Sequence, residues 1–267
     1  MNRRAFIRGA VTTTVVAAAG ASVCAYAKDT HDLETVTVPF ALGLHQPMRV
    51  AVLGDIHFDP LYEEAYLAGV IGHVNSLQPD LILYTGDFIT AHADRMPVLG
   101  KILAQGSARL GSYAVPGNHD HWTGLWAITH NLETNGIRVL RNKCVALPGE
   151  DDVYLSGLDS FWSGTPDPSI LSATPEQSRH ILLVHEPDTF LQLTNPRVKL
   201  QISGHTHGGQ VRLPLYGAVV LPQLGHNFET GLYRQDGRTL YVNRGIGTLA
   251  PHIRLNCRPE VTVFELS

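Results

Sequence analysis

Five short sets of residues in this chain could do chemistry. In order they are Gly54-Asp55-Ile56-His57, Gly86-Asp87, Gly117-Asn118-His119-Asp120, His185, and Gly204-His205-Thr206-His207-Gly208-Gly209. Asp, Asn and His without thiolate are borderline-to-hard donors. They suit Mn, Fe or Zn rather than copper or an iron–sulfur cluster. Asp55, His57, Asp87, Asn118, His185, His205 and His207 are more donors than one ion needs. Two divalent ions are the economical explanation, and Asp87, in the middle of the set, is the natural bridge. Taken singly, each set has a bland reading. Gly-Asp is common turn chemistry, and alternate histidines share a face of any strand. Joint occurrence overturns those readings.

The elements that must position these residues are short apolar runs. Met48 to Leu53, Leu81 to Thr85 and Tyr113 to Val115 read as strands, each stopping at one of the sets. Asp59-Pro60 reads as a cap and first position of a helix. Leu61, Ala65, Ala68, Ile71, Val74 and Leu77 continue it with near-helical spacing. Further helices are predicted over 95–105 and 122–134. Alternating strands and helices imply a parallel sheet covered by helices, and ligands bind beyond the carboxyl ends of such strands. After residue 137 the pattern becomes strand-rich. Strands are expected at Ile137–Leu140, Lys143–Leu147, Val153–Leu158, His180–Val184, Val198–Ser203 and Val261–Leu266. A short helix falls near 188–193, and a hairpin turns at Asp236-Gly237. The reading is one α/β domain with two sheets.

The series Asp-x-His, Gly-Asp, Gly-Asn-His-Asp, His and Gly-His-x-His, in this order over residues 55–207, is similar to that of the calcineurin-like metallophosphoesterases. The resemblance implies a two-sheet β-sandwich flanked by helices, with metals at the strand ends. It implies that Asp55, His57 and His207 hold one metal, that Asn118, His185 and His205 hold the other, and that Asp87 bridges. His119 would stand by the scissile phosphate as general acid or electrostatic partner, with Asp120 orienting its imidazole. In such chemistry two cations offset the charge of a phosphodiester and activate a water for in-line attack. Thr90 stands where purple acid phosphatases carry tyrosine, so a tyrosinate–iron centre is not expected.

Residues 1–27 read as an export signal. Arg3-Arg4-Ala5-Phe6-Ile7-Arg8 resembles a twin-arginine n-region. Val11 to Val23 is too short to span a bilayer, and Ala25-Tyr26-Ala27 has the form of a cleavage site. The expected partners are therefore the twin-arginine export machinery and a periplasmic or cell-envelope substrate. Gly204 to Pro214 and Tyr241-Val242-Asn243-Arg244-Gly245 resemble a subgroup of small exported bacterial phosphodiesterases. The implied enzyme is a metal-dependent phosphodiesterase over residues 28–267, with Mn the preferred ion. A lipid-linked UDP-sugar pyrophosphatase is the enzymatic rival. A non-catalytic metal-binding or scaffold protein is the rival from another class.

The balance of 20 basic and 24 acidic residues offers no footprint for nucleic acid. Charged residues are only 16%, which argues against a disordered chain. Cys144 and Cys257, the two beyond the signal, could pair or stay free. His121 and Trp122 follow the third set and could line the cleft. Arg244 and Arg254 could clamp a phosphate or pair on the surface. Leu213 to Leu224 is read first as core, and otherwise as a lip that meets an acyl chain or membrane surface.

Overall fold

A computed structural model describes residues 30–59 and 64–267. The signal expected over residues 1–27 and the helix start at Pro60 lie outside the described residues. Two six-stranded sheets pack face to face. The first has the order β1 (Glu34–Phe40), β14 (Glu260–Leu266), β2 (Met48–Leu53), β3 (Leu81–Tyr84), β4 (Ser112–Ala114) and β5 (Ile137–Val139). From β2 to β5 it is parallel, and β14 runs antiparallel to β2. The second has the order β12 (Gly231–Gln235), β13 (Arg238–Val242), β9 (Val198–Ser203), β8 (Arg179–Leu183), β7 (Val153–Gly157) and β6 (Lys143–Ala146). Its four central strands are parallel.

The apolar runs bury both faces, as parallel strands between two layers must. Val50, Val52, Leu81 and Leu83 point between the sheets, where they meet Ile181, Leu183, Leu200 and Ile202. Their neighbours Ala51, Leu53, Ile82 and Tyr84 point the other way. There they meet α1 (Glu64–Ser76), α2 (Met96–Leu103) and α3 (Asn118–Thr134). Helix α1 buries Leu67, Val70, Ile71 and Val74, one stripe at helical spacing. Each such side chain contributes about 1.5–3 kcal/mol by leaving water. The outer face of the second sheet is closed by 3-10 turns at Pro168–Leu171 and Pro187–Leu191.

Three features differ from the sequence reading. Strand β1 was not expected. It is an edge strand containing Pro39, and its pairing with β14 joins segments over 200 residues apart, which no local pattern reveals. Helix α3 begins at Asn118 rather than 122, so three residues of the third set, Asn118, His119 and Asp120, lie in its first turn. Gly124, at φ 151°, kinks the helix there and hid the earlier turn from periodicity. Leu213 to Leu224 is not core: β10 (Arg212–Leu213) and β11 (Gly217–Ala218) form a small hairpin whose Leu215, Tyr216 and Val220 are exposed. Cys144 and Cys257 are both free thiols.

Candidate metal centre

All five sets lie past the carboxyl ends of parallel strands. Asp55 and His57 follow β2, Asp87 follows β3, Asn118 and His119 follow β4, His185 follows β8, and His205 and His207 follow β9. Asp55, His57, Asp87, His205 and His207 all have left-handed backbone, with φ between 48° and 75°. That conformation is uncommon outside glycine. Its concentration here marks loops bent to aim side chains rather than to continue strands. Close approach explains two of the glycines. A Cβ at Gly117 would lie 2.2 Å from Asp87 Oδ1, and one at Gly204 would lie 2.3 Å from Asp55 Oδ2.

The donors fall into two groups that share a centre. Asp55, His57 and His207 form one, and Asp87, His185 and His205 the other; all six are buried. Asp87 stands between them, with Oδ2 3.6 Å from His57 Nε2 and 3.2 Å from His185 Nε2. Asn118 Oδ1 is buried without a hydrogen-bond partner. His119 also comes close. Its ring packs edge-on to His57 with centroids 4.9 Å apart, and a ring nitrogen lies within 4.8 Å of donor atoms of His57 and Asp87. The sequence reading had set it off the metals.

The histidines are presented as ligands. His185 Nδ1 donates to the Thr85 carbonyl at 2.7 Å, and His205 Nε2 donates to the Gln223 carbonyl at 2.8 Å. His57 Nδ1 meets the Thr90 hydroxyl at 2.9 Å. Each bond fixes the ring and leaves the other nitrogen facing the centre. His57 Nε2 and His207 Nε2 face each other at 3.0 Å. Burial drives the pKa of His57 down to about 3 and that of His207 well below the usual range. Two neutral nitrogens then point at one spot, as a cation requires.

The carboxylates carry the complementary signal. Burial, reinforced by Asp87, raises Asp55 to about 7 and Asp120 to about 7. Burial works against Asp87 as well, but His185, followed by His57 and His119, holds it well below the carboxylate range. Three buried carboxylates so close are costly without a compensating charge. The donor chemistry, the orphaned Asn118 oxygen and this accumulation of charge all fit a pair of divalent cations.

Asp120 departs from expectation. Its oxygens accept from the backbone amides of Asp87, Phe88 and Gly117, each at 2.9 Å, and the orienting bond to the His119 ring is not made. It is the third residue of α3 reaching back to the helix start, a capping role. In doing so it ties the Asp87 loop to the loop that carries Asn118. His119 Nδ1 instead lies 3.4 Å from the Thr90 carbonyl, and the His119 amide donates to Asp87 Oδ1 at 2.9 Å.

Neither arginine is a phosphate clamp. Arg244 is held by Glu34 and Glu260. Arg254 is fully buried and donates to the carbonyls of Gly247, Arg244 and Gly245. It braces the loop behind Asp55 and His207. His121 binds Asp159 at 2.6 Å, away from the donors. Trp122 does line the cleft. Its ring packs edge-on to His119 and to Trp162, which in turn packs against His205. Glu186 holds that wall by accepting from the Ser160 hydroxyl and the amides of Phe161 and Trp162. The sequence reading missed Trp162, Glu186, Asp159 and the structural role of Thr90. An aromatic pair beside Ser163-Gly164 was the available signal for Trp162; the carboxylates gave none.

The family model for calcineurin-like phosphoesterases matches residues 48–209, the span that contains every one of these donors. The chain belongs to the calcineurin-like phosphoesterase family. It is 34% identical to an uncharacterized metallophosphoesterase of Bacillus subtilis, YkuE, over 100% of this chain and 98% of that protein. It is 30% identical to the phosphodiesterase YaeI of Escherichia coli, over 82% of each. Among solved structures, a dimetal phosphatase from Danio rerio shares the fold with a TM-score of 0.56 at 12% identity, over 82% of this chain and 99% of that one. This calcineurin-like phosphoesterase is a metal-dependent phosphoester hydrolase with a binuclear divalent centre.

Proposed function

We propose that the protein is an exported phosphodiesterase acting on a cell-envelope substrate. The observation that carries the reading is the pairing of two donor groups about Asp87 with an aromatic wall beside them. Asp55, His57 and His207 would hold one ion. Asn118, His185 and His205 would hold the other, with Asp87 between. When bound, the two cations offset phosphate charge and activate a water. The chain's own residues do the rest. His119 stands next to both groups and can give a proton to the departing oxygen. Trp122 and Trp162 form a face against which a leaving group can pack. Asp120 keeps the Asp87 and Asn118 loops in register.

The diester preference is supported by the similarity to a phosphodiesterase. Export by the twin-arginine route rests on the paired arginines at residues 3 and 4, and leads to a periplasmic or envelope location. Folding in the cytoplasm before export would let the supply there decide the metal, and Mn is our choice. Hydrolysis of a chromogenic phosphodiester and of its monoester by metal-stripped protein refilled with Mn²⁺ tests the reading. Turnover that returns with metal and favours the diester is expected. Two bound metals with no hydrolysis of either would turn the reading toward a binding protein. Preference for a UDP-acylsugar over a simple diester would favour the lipid pyrophosphatase.

A further inference from the structure

Two hollows flank the donor cluster, and they differ in size. One, of about 130 Å³, lies on the His57 side and includes the polar groups of His31, Asp59, Thr248 and His252. The other, of about 400 Å³, starts at His205 and His207. Its walls are Val211, Val219 and Val220 on one side and Leu249 and Pro251 on the other. The small β10–β11 hairpin builds the first wall. It packs so closely that a Cβ on Gly209 would lie 2.3 Å from Ala218 Cβ. At the hairpin's turn, Leu215 and Tyr216 are exposed as well. Apolar side chains exposed beside an apolar hollow are the feature that binding surfaces share.

We propose that this groove receives the hydrocarbon chain of an amphiphilic phosphoester substrate. The proposal rests on the hydrolase reading above and narrows its substrate class. Continuity decides the occupant. Two of the candidate metal ligands, His205 and His207, line the groove, so its occupant would lie next to a phosphoryl group held at the centre. The apolar substituent of a phosphodiester would then enter the larger hollow, where apolar side chains dominate the lining. No helix among the described residues is long and apolar enough to cross a membrane.

The test uses full-length protein loaded with Mn²⁺ and titrated by calorimetry with methyl-, hexyl- and dodecylphosphonate, each below its micelle concentration. Affinity should rise with chain length, up to about fourfold for each methylene that enters the groove. Val220→Asp should flatten that slope. Val220 is 73% exposed, so the substitution is compatible with folding, and an unchanged melting temperature verifies it. Equal affinity across the series, or the same slope in Val220→Asp, overturns the proposal. So does sedimentation with phosphatidylglycerol vesicles without chain-length dependence, since the patch would then meet a bilayer surface. A steep slope without turnover of any diester keeps the groove and removes the phosphodiesterase reading. Diester turnover with a flat slope does the reverse.

Discussion

The two sheets contribute to one centre unequally. The first supplies every oxygen donor, Asp55, Asp87 and Asn118, together with His57 and His119. The second supplies imidazoles only, at His185, His205 and His207. Negative charge is therefore built into one side, and neutral nitrogen into the other. On the proposed reading the first side attracts dications of any kind and would hold the bridge. The second sets which metals bind well, because imidazole suits Zn, Fe and Ni better than Mg or Ca. The supports differ too. Two of the three second-sheet rings lean on backbone carbonyls, at Thr85 for His185 and at Gln223 for His205, whereas His207 Nδ1 is buried without a hydrogen-bond partner. His57 of the first sheet leans on a side chain, Thr90.

The comparison can be broken most severely at Asp87. Asp87→Asn should weaken both ions together, by more than the ~10–100-fold that losing a residue behind a ligand costs. A protein that still binds two equivalents by elemental analysis would show that the first sheet does not carry the bridge. His119→Ala should retain two metals and lose turnover by about 10²–10⁴-fold, the range for a proton donor. Loss of one metal instead would make His119 a ligand, an outcome its closeness to His57 and Asp87 makes worth measuring. Thr90→Val sharpens the contrast between the supports. It should weaken only the ion of Asp55, His57 and His207, by about 10–100-fold, as a two-step metal titration would reveal. The smallest effect is expected from Asp120→Asn. Its three amide partners predict a loss of about 1–3 kcal/mol, visible as a lower melting temperature with turnover largely kept. A large fall in turnover at unchanged stability would restore Asp120 to the proton path.

The sets that meet at the centre were legible because each is compact and each ends a strand. Residues 54–57 and 204–209 announce both a turn and its donors. The parallel strands were legible because burial on both faces makes unbroken Val, Ile and Leu runs such as Leu81 to Leu83. What escaped was set by distance along the chain. Strand β1 pairs with β14 across the whole protein. Asp120 binds amides 32 and 33 residues earlier, so its neighbour His119 looked like the partner. Arg244 and Arg254 looked like anion binders because their partners, Glu34, Glu260 and several carbonyls, lie on other loops. The stretch Leu213 to Leu224 was misjudged for another reason. Composition reports that apolar residues are present, and only the fold reports whether anything covers them.

Each donor group draws on both sheets: Asp55 and His57 with His207, and Asp87 with His185 and His205. Neither coordination sphere can close on a half-formed sandwich. The contacts that complete them join residues up to 152 positions apart, and such long-range contacts are a mark of slow folding. A metal pair would therefore bind fully only once both sheets have docked. A chain with its sheets misdocked would present three or four donors in the wrong company and release the ion, while a correctly closed one would be locked by it.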